Sequence, residues 1–144
     1  MTTAPEPRLD PMPGPAHLPE TARRLVAEPH VAHLATLLAD GSPHSVPLWV
    51  AWEGDHLAFL TGPRSQKARN VGRDPRVAVS VMHTERPWEM AMLRGRVVQV
   101  LDGDRGWAVV DRIARVHTGA DYPRGEERVA FLVDVEHAAA QSFG

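Results

Sequence analysis

The ten residues Thr61-Gly-Pro-Arg-Ser65-Gln-Lys67-Ala-Arg69-Asn70 bring two hydroxyls, an ammonium and guanidinium groups into one short stretch. Gly62-Pro63 breaks an apolar run, and Ser65 is a good N-cap for a short helix over Ser65 to Val71, with Gly72 as its stop. The first N–H groups of such a helix lack intrahelical acceptors, and its dipole favours a negative charge there. Ser65, and Thr61 four residues before it, add neutral donors, while Lys67 adds a mobile point charge. That combination holds a phosphate. The same spacing also suits a plain cap with Lys67 and Arg69 in solvent. One compositional fact singles out Lys67: the sixteen basic residues are fifteen Arg and this Lys.

Other chemistries find less support. There are no cysteines, which removes thiolate ligands, cysteine nucleophiles and disulfides. The eight histidines include no HExxH pair. His30 and His33 start a strand and project to different faces, and His44, His56, His83, His117 and His137 read as isolated, so no metal site is expected. No Ser-His-Asp order or carboxylate pair emerges, and no catalytic residue is assigned. Among the tryptophans, Trp107 at helical spacing reads as core, and Trp49 and Trp52 lie on opposite faces of one strand. Trp88 sits in a loop beside Pro87, where it can stack on a flat ligand.

The chain has 144 residues, 43% hydrophobic and 24% charged, enough for one domain with a real core. A net charge of −2 gives no reason to expect a nucleic-acid or anionic-membrane surface. No stretch approaches the roughly 18–20 apolar residues of a membrane span, and no signal-peptide layout is visible. A reducing cytoplasm suits that composition.

These residues need a frame. Residues 1–16 carry five prolines and read as a flexible arm before a single domain over 17–144. A helix follows Pro19, with Ala22, Leu25 and Val26 on one face and Pro29 ending it. Val31 to Leu38, the Asp40-Gly41 turn and Pro43 to Trp52 read as a hairpin; Pro47 cannot donate to a ladder and implies an edge or a ligand-facing gap. Further strands are expected over His56 to Thr61, Arg76 to Met82, Glu89 to Leu101 and Arg128 to Val135. A helix opens at Asp102 or Asp104, and a small-residue tail ends the chain. Hairpin-length links favour a mainly β fold with short helices: a six- to seven-stranded antiparallel Greek-key barrel.

From about Val31 to Val135 the chain resembles the pyridoxamine 5′-phosphate oxidase-like superfamily of split β-barrel flavoproteins, and more closely the small actinobacterial members that bind the deazaflavin coenzyme F-420. The resemblance is carried by His33-Leu-Ala-Thr36, Asp40-Gly41, Ser45-Val-Pro-Leu-Trp49, Thr61 with Ser65-x-Lys67, Asn70-Val71, Asp74-Pro75-Arg76-Val77 and Arg94-Gly95. It implies that Thr61, Ser65 and Lys67 hold the cofactor phosphate. Ser45, Val46, Pro47 and Leu48 would lie along the ring, and Gly62 and Asn70 would complete the set. Trp88 would reach the site of the other subunit in a homodimer. Gln66 stands where the oxidase proper resembles Ser-Arg-Lys, and the oxidase's C-terminal extension with its basic substrate-phosphate ligands has no counterpart here, so vitamin B6 oxidation is not implied.

The implied function is hydride transfer from reduced coenzyme F-420 to a small conjugated molecule, the cofactor supplying the chemistry. FMN in the same groove is the alternative cofactor. A non-catalytic carrier of a flavin or haem is the alternative of another class.

Overall fold

The structure is a computed structural model that describes residues 18–143; the arm expected over 1–16 lies outside the described residues. In chain order the elements are α1 (Glu20–Ala27), β1 (Ala32–Leu37), β2 (Pro43–Leu48), β3 (Val50–Glu53), β4 (His56–Thr61), α2 (Gln66–Arg73), β5 (Arg76–Met82), β6 (Glu89–Leu101), α3 (Gly103–Thr118) and β7 (Val129–Ser142). The strands form one antiparallel sheet in the order β2-β1-β5-β6-β7-β4-β3, curled into a split barrel.

Alternation builds the barrel interior. On β4, Leu57 and Phe59 point inward, and on β7 Phe131, Val133 and Val135 do the same. The Phe59 and Phe131 rings stack at 5.0 Å. Each such side chain contributes about 1.5–3 kcal/mol on burial. Leu25 and Val26 of α1 and Ala68 and Val71 of α2 pack into the same core. The other face of β3, β4 and β7 carries Ala51, Ala58, Ala130 and Leu132, against which α3 lays Val109, Val110 and Ile113. Small residues are required there: a Cβ on Gly106 would collide with the Leu101 carbonyl.

Three sequence expectations change. Pro43 to Trp52 is not one strand. It breaks at Trp49, and its halves lie at opposite ends of the sheet order, β2 beside β1 and β3 beside β4. Pro47 therefore sits on an edge strand, as its missing N–H requires. The C-terminal segment is not a tail: β7 runs on to Ser142 because the 13-residue β6 presents a full-length edge, and Ala138, Ala139 and Ala140 pair with Leu93, Met92 and Ala91. Gly72 does not end its helix. Asp74, its N–H bonded to the Asn70 carbonyl, does so one residue before Pro75.

Register shifts between Arg94 and Gly95 and between Val97 and Gln99 bend β6. At the first, a Cβ on Gly95 would collide with the Asp134 carbonyl. Among the described residues no helix is long and apolar enough to cross a membrane.

Candidate functional site

Where β2 gives way to β3, the sheet leaves a groove of about 890 Å³. One wall is Pro47, Leu48 and Trp49. The floor is Leu60 and Thr61 of β4 with Gly62 to Ser65 and Lys67 of the turn into α2. The far wall is Tyr122, Glu126, Glu127 and Arg128 from the segment before β7.

The turn into α2 is built for an anion. Ser65 Oγ accepts the Ala68 N–H at 3.1 Å as a helix cap and also accepts the Thr61 hydroxyl at 2.9 Å. With both acceptor positions used, the Ser65 proton is left to donate outward. The N–H groups of Gln66 and Lys67 at the helix start have no intrahelical acceptor. Burial holds the Lys67 pKa below its ordinary value of 10.5, and repulsion from Arg128 lowers it further. Among the described residues no carboxylate contributes. The corner is a half-buried positive charge beside free donors, and no described residue pairs with it as a counterion.

The expected residues divide sharply. Pro47, Leu48, Thr61, Gly62, Ser65 and Lys67 line the groove. Thr61, only 6% exposed, acts on Ser65 rather than outward, since its proton is committed there. Asn70 does not face the groove. It is fully buried beneath α2, donating to Thr36 Oγ1 at 2.9 Å and accepting from Gln66 Nε2 at 2.8 Å and Arg73 Nη2 at 3.1 Å. Its role is to fix α2 against β1. Val46 packs on the barrel core. Ser45 opens instead onto a separate cavity of about 410 Å³, with Ala78, Ser80, Met92, Arg94 and His137. Trp88 is 42% exposed in the turn before β6, away from this groove.

Sequence reasoning missed the aromatic end. Trp49 stacks on His117 with ring centroids 5.3 Å apart, and Tyr122 meets Trp49 edge-on at 6.5 Å. Burial lowers the pKa of His117, whose Nε2 lies 2.9 Å from the Val50 carbonyl; the neutral ring donates to it. The Tyr122 segment is held from behind by Asp111 on α3, which is 6% exposed and accepts Arg124 through both oxygens (2.9 and 3.0 Å) and the Tyr122 N–H at 3.1 Å. Arg124 also covers the Trp107 ring at 3.8 Å, and Trp107, half-buried, packs against the second core beneath α3 as its helical spacing implies. These contacts join residues 49, 107, 117 and 122, whose proximity no local pattern signals.

His83 is not isolated either. Glu28, His30 and His83 converge between the end of α1 and the turn after β5, with ligand-type atoms within 4.8 Å of one another. Backbone N–H groups decide their chemistry. His30 Nδ1 accepts from Thr84 at 3.0 Å, and His83 Nδ1 accepts from Glu85 and Arg86 at 3.1 Å each. With Nδ1 turned to the backbone, each ring presents Nε2 toward Glu28 Oε1, at 2.9 Å for His30 and 4.0 Å for His83. The group acts as a clasp on the Thr84–Trp88 turn.

The comparisons agree with this architecture. No curated protein matches the chain in sequence. Among solved structures, an F-420 reductase superposes with a TM-score of 0.73 at 29% identity, covering 85% of this chain and 98% of that one. A FAD-binding protein from Mesorhizobium loti gives 0.65 at 23% identity over 88% and 96% of the two chains. A heme binding protein from Mycobacterium smegmatis gives 0.65 at 20%, over 87% of this chain and 54% of its own. At these lower identities the likeness is one of fold. Residues 18–142 match the pyridoxamine 5′-phosphate oxidase family, and the split barrel with its groove at the β2–β3 break agrees: the chain belongs to that family.

Proposed function

We propose that this protein is a coenzyme F-420-dependent oxidoreductase acting on a small conjugated molecule. The observation that carries the reading is the uncompensated corner: the half-buried Lys67 ammonium, the outward Ser65 hydroxyl and the free N–H groups of α2 at one end of a groove large enough for a tricyclic cofactor. Likeness to an F-420 reductase at 29% identity favours the deazaflavin over FMN. In this reading the corner holds the phosphate, and the Pro47–Leu48 edge, with no N–H at Pro47, lies along the ring. Trp49 and Tyr122 shield the groove from water. Bound there, a reduced deazaflavin supplies the hydride; the chain supplies orientation and desolvation.

The protein is proposed to work in the cytoplasm as a homodimer with the groove completed across the interface, and Trp88 is proposed to contact the partner's cofactor. In support, Met82, Trp88 and Phe143 are 52%, 42% and 72% exposed where β5 turns into β6, with Met92 (37%) two strand positions on from Met90. Sedimentation should give a dimer that Met92→Glu weakens.

Fluorescence-quenching titrations of the purified protein with F-420 and with FMN test the assignment. Tighter binding of F-420 is expected. Preference for FMN would transfer the groove to the flavin, and no binding of either would overturn the reading.

A further inference from the structure

His83, just after β5, and His30, just before β1, are both buried, with ring centroids 4.3 Å apart. They differ in what each can do with an added proton. An imidazolium donates from both nitrogens and accepts at neither. His30 has an acceptor in reach of each, Thr84 Oγ1 at 2.9 Å from Nδ1 and Glu28 Oε1 at 2.9 Å from Nε2. His83 has no such outlet at Nδ1, which is met by the N–H groups of Glu85 and Arg86 at 3.1 Å each. Those two bonds fold the turn after β5. A proton on that nitrogen would face both donors, so the ring takes it only once the turn has let go.

The surrounding charges do not remove this conflict. From α1, Glu28 lies 4.0 Å from His83 Nε2, but it already pairs with His30 at 2.9 Å and with Arg24 at 3.6 Å. The bond to His30, and then the charge of Arg24, hold its carboxyl below the ordinary value. From β6, Glu89 is taken by Arg86 at 2.7 Å and Arg24 at 2.9 Å. The turn itself adds Arg86 and Glu85, and α3 adds His117, on which His30 acts by charge repulsion.

We propose that His83 is a proton-operated latch on the turn that carries Trp88. Neutral, the ring holds the turn closed; charged, it requires the turn open. The open turn binds one more proton, so falling pH favours it, across the range of about pH 8 to 5 in which histidine titrates. The Trp88 carbonyl accepts the Phe143 N–H at 3.3 Å, and the Glu89 N–H returns to the Arg86 carbonyl at 2.9 Å. Opening therefore frees the Trp88 ring and the end of β7 together. Both lie on the face proposed above for the homodimer, and the inference rests on that reading for its consequence, a dimer that loosens in acid.

The test uses the full chain, as wild type and as His83→Asn, between about pH 7.5 and 5.5. Asparagine offers an amide oxygen in place of Nδ1, accepts readily from the N–H two residues on, and does not titrate. Hydrogen-exchange protection of the 84–88 amides and the dimer dissociation constant by sedimentation are read together. In wild type, protection should fall about tenfold or more and the dimer should weaken about fivefold or more, while both stay within about twofold in His83→Asn. Wild-type protection that is equal at the two ends overturns the latch, whether or not the variant folds. An equal fall in His83→Asn also overturns it, by placing the titrating group elsewhere. Protection lost in wild type alone with the dimer unmoved keeps the latch and overturns Trp88's place at the interface. A monomer throughout overturns the proposed homodimer, and the protection series then decides the latch by itself.

Discussion

The hydroxyl of Thr61, at the end of β4, donates to Oγ of Ser65, the cap of α2, across 2.9 Å. One buried side chain thereby sets the direction of another's proton. Ser65 has two duties, capping and donating, and substitution can separate them. Ser65→Ala loses both: about 1 kcal/mol of stability in urea unfolding and most of the cofactor affinity. Ser65→Asp keeps a good cap but places a carboxylate where the phosphate goes. Near-wild-type stability with binding abolished is expected, and a Ser65→Asp protein that still binds would show that the anion docks elsewhere.

Lys67 is held half out of water beside Arg128, with no carboxylate among the described residues to offset the cost. Lys67→Met should leave the melting temperature unchanged or raise it, with up to about 0.5 kcal/mol gained, while F-420 affinity falls at least about tenfold. A variant destabilised like an ordinary core lesion would mean that the ammonium has a structural partner.

The same lysine gives opposite pH trends with and without ligand. Its folded pKa lies below the 10.5 of the free side chain, so between those two values the unfolded chain binds more protons. The ligand-free protein should therefore gain stability as pH rises through that window. Phosphate binding needs the ammonium and should weaken over the same rise, at a pH below 10.5. Phosphate groups are already fully ionised there, so the trend reports on Lys67. Parallel melting and titration series across the alkaline range check both signs.

Asn70 is the tie between α2 and the barrel. Asn70→Ala leaves the Thr36 hydroxyl and the Gln66 amide without their buried partner, at about 2–3 kcal/mol. Cofactor binding should weaken too, because the helix that carries Ser65 and Lys67 is no longer fixed. Asn70→Asp keeps the acceptor but loses the donor to Thr36, and should recover part of the binding and less of the stability. Full binding in Asn70→Ala would show that the corner orders itself.

Gly95→Ala is expected to be the most damaging of these changes, at about 3 kcal/mol or more, because the new methyl meets the Asp134 carbonyl of the neighbouring strand rather than a movable side chain. Soluble yield and melting temperature report it directly. An ordinary melt for Gly95→Ala would mean that β6 and β7 can part at their bulge.

Local signals carried most of the architecture. Asp40-Gly41, with Gly41 at a φ of +85°, marks the hairpin, and the alternation Val77, Val79, Val81 marks β5. The turn into α2 was legible because capping, dipole and phosphate chemistry all act within a few residues. Signals that depend on a distant partner were not. Ala138 to Ser142 looks like a tail until β6 supplies an edge, and Trp49 looks like mid-strand until the barrel shuts around it. Tyr122 and Arg128 join the site only because Asp111, on another element, draws the intervening loop inward. Asn70 was placed in the right neighbourhood and given the wrong task, since spacing shows that a side chain is near a helix start but not which side of the helix it faces.

The outermost strands of this sheet, β2 and β3, are neighbours in the chain with one residue, Trp49, between them. Joining the two rims of the cylinder therefore closes almost no loop of its own, and the entropic toll of uniting distant edges has already been met by the peptide link. The mouth of the groove inherits that economy. Its lip is a covalent hinge, so the two walls that flank a ligand's entry stay within one residue of each other along the chain.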